Sequence, residues 1–180
     1  MTRCVASYGR DLKDSFFVVD DGELDEDMRV LGAGAIFYGL AAGDLLPDTL
    51  GPLGIIDDVL VLRIALERIC AHNPERAKVY AKERPELFGS MAADLATARS
   101  FLGELFELFD ERVDTCRAIE FKGKTPANCV SDPEDSRWLY DEVMEAQLHM
   151  PSDEEDIARH MRKIDTVMPR LRQRLAQKKR

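Results

Sequence analysis

The sequence has no apolar run long enough for a confident membrane span. The longest uncharged apolar stretch, residues 30–43, covers about 14 residues against the roughly 18 a span calls for. Residues 1–4 lead into no apolar core of the kind a secretory signal carries. The four cysteines, Cys4, Cys70, Cys116 and Cys129, form no C-x-x-C pair, so reduced thiols and a cytoplasmic location are the expectation. There is no G-x-x-x-x-G-K-[ST] or G-x-G-x-x-G stretch to cradle a nucleotide phosphate, and no serine sits in a nucleophile elbow. His72, His149 and His160 stand at no zinc spacing and read as surface residues. A net charge of −9 argues against a nucleic-acid grip over the whole surface.

What remains is a chain of 180 residues, 45% hydrophobic and 33% charged, long enough for one domain with a real core. Its charge is uneven. Residues 20–27 are almost all acidic, while Arg170, Arg172, Arg174, Lys178, Lys179 and Arg180 crowd the other end. That basic tail suits RNA, anionic lipid or an acidic partner, but a helix C-terminus favours cations on dipole grounds alone. Docking onto the 20–27 stretch is a further option.

Apolar spacing predicts an all-α fold. Residues 1–19 give no clear signal between strand and docked helix. A helix starting near Asp25 with an acidic first turn runs through Met28, Leu31, Ile36 and Tyr38, where Gly32, Gly34 and Gly39 allow close packing. After a compact link over 44–54, a second, almost wholly apolar helix runs from near Ile55 to Asn73, and a short helix follows from Pro74 to Lys82. Phe88, Met91, Leu95, Ala98, Leu102, Leu105 and Phe109 then step by three and four, predicting one helix of roughly 30 residues to Ile119. A loop over 122–131 precedes a helix from Pro133 to Pro151. Ser152 and Glu155 read as a capping box for a last helix carrying Ile157, Met161, Ile164, Met168, Leu171 and Leu175 and bent at Pro169. The expected architecture is bundle-like: an N-terminal helical hairpin packed with a long helix and a C-terminal helix. The two heptad stripes pair with each other or build a dimer. Three regions follow: an acidic N-terminal segment (1–24), the hairpin region (25–84) and a C-terminal helical extension with a basic tail (85–180).

The chemistry concentrates in the hairpin turn, where Asp44, Asp48, Asp57 and Asp58 stand among two prolines and two glycines inside the most apolar part of the chain. One reading is a divalent-cation site: if the hairpin closes, these carboxylates converge on Mg²⁺ or a similar ion, which could activate water or hold phosphate. The other gives each acid a local task. Asp44 ends a helix, Pro47 and Asp48 form a turn, and Asp57 and Asp58 occupy the first turn of the next helix. Adjacent aspartates in a helix point about 100° apart, which favours the second reading.

The run Asp44-Leu45-Leu46-Pro47-Asp48 followed by Leu53-Gly54-Ile55-Ile56-Asp57-Asp58 and an aliphatic helix resembles the YkvA-like family over roughly residues 31–68. That family usually has proline where Gly51 stands; here the proline is displaced to Pro52. The resemblance implies a helical hairpin with Asp44, Pro47, Asp48, Gly54, Asp57 and Asp58 as motif residues. It also implies wide occurrence in bacteria and membrane association for some members, and supplies no catalytic set. The functional expectation is a non-enzymatic interaction module making protein–protein or membrane-surface contacts, with a metal-dependent enzyme built on the four aspartates as the alternative. A module of that kind needs an exposed apolar patch along 30–43 or the heptad stripe. Burial of the 30–69 hairpin in a membrane is a third, weaker reading.

Overall fold

The computed structural model describes residues 1–41 and 45–178 and, at Asp48, the backbone alone. The fold is all-α. Among the described residues there is no strand, only an isolated bridge between Phe121 and Lys124.

The segment that gave no clear signal is helical: α1 (Thr2–Ser15) turns at Phe16 into the short α2 (Phe17–Asp20). Cys4, Val5, Tyr8, Leu12 and Ser15 repeat at three and four and form its buried face. Next comes α3 (Glu26–Leu40), opened by Glu26 and Asp27 and buried continuously from Leu31 to Tyr38. It packs on α4 (Ile56–His72), which is buried on every side from Ile56 to Leu66 and forms the centre of the molecule. Close approach here depends on a glycine. A Cβ on Gly34 would lie 2.9 Å from the Cys116 backbone carbonyl, so a side chain would force α3 off that turn. The middle of the apolar run is thus core: residues 31–38 are buried, and no described helix is long and apolar enough to cross a membrane.

Asn73 caps α5 (Pro74–Glu83), accepting the Arg76 N–H at 3.1 Å, and Pro74 occupies the first turn. The expected 30-residue helix is two helices. α6 (Pro85–Leu102) stops at Gly103, whose φ of 55° leaves the helical region; a 3₁₀ turn then leads into α7 (Glu107–Thr115). The apolar stripe survives the break, because Leu105, Phe106 and Phe109 are buried beyond it.

Half of the expected 122–131 loop is α8 (Pro126–Ser131), held by a reciprocal Thr125–Asn128 capping box. α9 (Pro133–His149) starts on Asp132, which accepts the Glu134 and Asp135 N–H groups, and packs on α1 and α8.

The C-terminal region differs from expectation in three ways. The N-cap of α10 (Glu154–Met161) is Asp153, accepting from Glu155 and Asp156, not Ser152. The chain then breaks into a 3₁₀ turn over Ile164–Thr166 before α11 (Met168–Lys178), so Pro169 lies in a first turn, where proline is tolerated, and bends nothing. Finally, the two heptad stripes form no continuous antiparallel hairpin. α10 packs on α1 and on the 3₁₀ turn Asp48–Leu53, and α11 on the turn between α6 and α7. Lys178 pairs with Glu107 at 2.8 Å and Glu111 at 3.2 Å, both on α7. Lys179 and Arg180 lie outside the described residues.

Candidate functional site

Of the four turn acids, Asp57 is the one whose role the geometry defines fully. It sits in the first turn of α4, yet its carboxylate points away from its own helix. Oδ2 accepts the Tyr38 hydroxyl at 2.8 Å and the N–H groups of Leu45 and Leu46 at 2.7 and 3.2 Å. The Leu45 N–H also reaches the Tyr38 oxygen at 3.1 Å. One buried oxygen therefore ties α4 to α3 and to the chain leaving α3. Asp57 has no exposed surface, and burial pushes its carboxyl up to about 6 although the bonds from Tyr38, Leu46 and Leu45 favour the charged form. Burial, and then the neighbouring Asp57 charge, push the Tyr38 hydroxyl well above its ordinary value, so it stays a donor. Asp57 Oδ1 has no hydrogen-bond partner among the described residues.

Asp58, next in sequence, is buried on a different side. It lines a cavity of about 390 Å³ with Gly39, Gly51, Pro52, Ile55 and His149. Gly39 is required there: a Cβ would fall 2.0 Å from the Tyr8 hydroxyl oxygen and 3.8 Å from the Asp58 Cβ. Gly51 has φ 59° and ψ −133°, a conformation closed to proline, whose ring holds φ near −65°. Pro47 is exposed ahead of the turn, and Gly54 is buried in helical conformation behind it. Asp44 lies outside the described residues, as does the Asp48 side chain, so convergence of all four acids is not described. Among the described residues no group of three or more His, Cys, Asp or Glu side chains is placed to hold a metal ion.

A second polar centre, absent from the sequence reading, lies between α1, α4 and α6. The almost fully buried Arg63 guanidinium reaches Asp11 and Asp94, each at 2.8 Å. Ser7 donates to Asp11 at 2.9 Å and Ser90 to Asp94 at 2.7 Å. Burial works against the Asp94 carboxylate, but Ser90 and Arg63 outweigh it and hold that group below its ordinary range. The four-residue spacing of Ser7 to Asp11 and of Ser90 to Asp94 was the available signal. This centre joins α1, α4 and α6.

The apolar surface lies elsewhere than the 30–43 run. Phe101, 53% exposed, stands over a cleft of about 250 Å³ walled by Ile56, Leu60, Ala98, Leu102, Met161 and Ile164. The two heptad stripes meet here, one supplying Ala98 and Leu102 and the other Met161 and Ile164.

No family model, curated protein or solved structure matches the chain.

Proposed function

We propose that this protein is a non-enzymatic helical interaction module that receives apolar side chains of a protein partner in the cleft beside Phe101. The observation that carries the reading is the cleft itself: a large exposed aromatic over an unfilled apolar hollow, on a surface otherwise rich in charge. The state of Asp57 supports it, since the oxygen that three donors engage is committed to closing the α3–α4 hairpin. In this reading residues 31–68 form a YkvA-like hairpin that acts as scaffold, and the helix–turn–helix geometry around Asp57 supports that kinship. Four free thiols, three of them buried, support a reducing, cytoplasmic setting.

Photo-crosslinking tests the proposal. A photoreactive phenylalanine analogue at position 101 should give a discrete adduct in cells, and the same analogue at exposed Glu86 should not. Equal, diffuse labelling from both positions would rule out docking at the cleft. Sedimentation velocity of wild type and Phe101→Glu shows whether the partner is a second copy.

One observation favours a divalent-metal enzyme as the second reading: Asp57 Oδ1 is buried and has no partner among the described residues. Of the four acids expected to converge on Mg²⁺, Asp44 and Asp48 would then join Asp57, while Asp58 faces the other cavity.

A further inference from the structure

A groove lies on another face, between the α2–α3 connection and the α8–α9 junction. It measures about 530 Å³ and is lined by Phe16, Asp20, Arg29, Ser136, Arg137 and Tyr140 among others. Two arginines set its character. Arg29 is half-buried and fixed by main-chain carbonyls: Nε donates to Val19 O at 2.7 Å and Nη2 to Val130 O at 3.4 Å. Those carbonyls close the ends of α2 and α8 and hold the guanidinium still, but they carry no full charge. Arg137 is exposed on α9. Among the described residues, neither arginine has a carboxylate within ion-pair distance.

The groove's own acids are engaged by other donors. Asp132 caps α9 through the Glu134 and Asp135 N–H groups, and Asp20 accepts the Ser136 hydroxyl at 3.2 Å. In a chain of net charge −9, two arginines without described carboxylate partners face one groove. Partly buried charge is normally paired, so the half-buried Arg29 guanidinium has room for a complement from outside, with the exposed Arg137 beside the same groove.

We propose that this groove binds a small organic phosphate monoester carrying a flat ring. Two guanidinium groups match a dianion, and their planar donor forks suit phosphate oxygens. The space far exceeds an inorganic anion. Its other wall is aromatic: Phe16 and Tyr140 meet edge to face with centroids 5.2 Å apart, and Tyr140 is 39% exposed. Arg29 and Arg137 hold the phosphate while the ring packs against Tyr140.

Isothermal titration with phenyl phosphate, inorganic phosphate, benzoate and phenol tests this. Phenyl phosphate should saturate, inorganic phosphate should bind more weakly, and benzoate and phenol should trail both. Arg137→Gln, at an exposed position, should weaken phenyl phosphate about tenfold or more, as loss of a charged hydrogen bond does. Tyr140→Ala should weaken phenyl phosphate and leave inorganic phosphate unchanged. Phenyl phosphate binding no better than benzoate or phenol would overturn the proposal, as would full affinity in Arg137→Gln.

Discussion

The Tyr38 hydroxyl and the Asp57 carboxylate meet at 2.8 Å across the buried hairpin, and the oxygen that takes the hydroxyl also takes the Leu45 and Leu46 N–H groups. The glycine-containing α3 and the aliphatic α4 gain a fixed crossing and a fixed exit for the chain.

Removing that acceptor should cost more than removing one donor. Asp57→Ala leaves two buried N–H groups without their carboxylate, a loss of about 2–4 kcal/mol, whereas Tyr38→Phe should cost about 1 kcal/mol. Asp57→Asn keeps an acceptor oxygen and should fall between them. Urea denaturation of the three variants gives the order directly.

The same carboxylate makes stability depend on pH in an unusual direction. Its folded-state value, about 6, lies above the ordinary aspartate value, so the folded state holds the proton more tightly. Its contribution is fully present below the unfolded value and is lost as pH rises through about 6. Asp21 and Asp94 are held below their ordinary values, so their contributions are present above the unfolded value and are lost as pH falls below it. The wild-type urea midpoint should therefore decline between about pH 4 and 6, and Asp57→Asn should flatten that decline.

Gly39 should tolerate no side chain while Tyr8 keeps its hydroxyl. Gly39→Ala places a methyl 2.0 Å from that oxygen and should destabilise by about 2 kcal/mol or more. Tyr8→Phe in the same chain removes the clashing atom, leaving the ring carbon at 3.3 Å as the nearest neighbour, and should restore part of the loss. A double-mutant cycle measured by thermal unfolding reads the coupling.

Arg63→Met strands the buried Asp11 carboxylate and should cost about 3–5 kcal/mol. Adding Asp11→Leu removes the stranded charge and should recover much of it. A combined loss equal to the sum of the single losses would mean that the two residues are not coupled.

The all-α class and the α3–α4 hairpin were legible because spacing by three and four is local and strong in those segments. α1 was not, although Cys4, Val5, Tyr8 and Leu12 carry the same period. Gly9, Asp11 and Ser15 share its buried face, and Asp11 makes sense there only beside Arg63, 52 residues away. Spacing also concealed the break between α6 and α7. The stripe through Leu102, Leu105 and Phe109 continues across the 3₁₀ turn, so the period alone hides the positive φ at Gly103. At the turn, sequence marked Asp57 but not its task, because its partners include backbone N–H groups that nearly every residue owns. Tyr38 looked like one more apolar residue of its helix.

The most direct test of Asp57 as a hairpin clasp is thermal unfolding of wild type and Asp57→Asn, each titrated with Mg²⁺, Mn²⁺ and Ca²⁺. The clasp predicts melting temperatures that do not respond saturably to metal, with Asp57→Asn folded and only modestly less stable. A saturable rise in the wild type that disappears in a folded Asp57→Asn would contradict it and make the acidic turn a metal site.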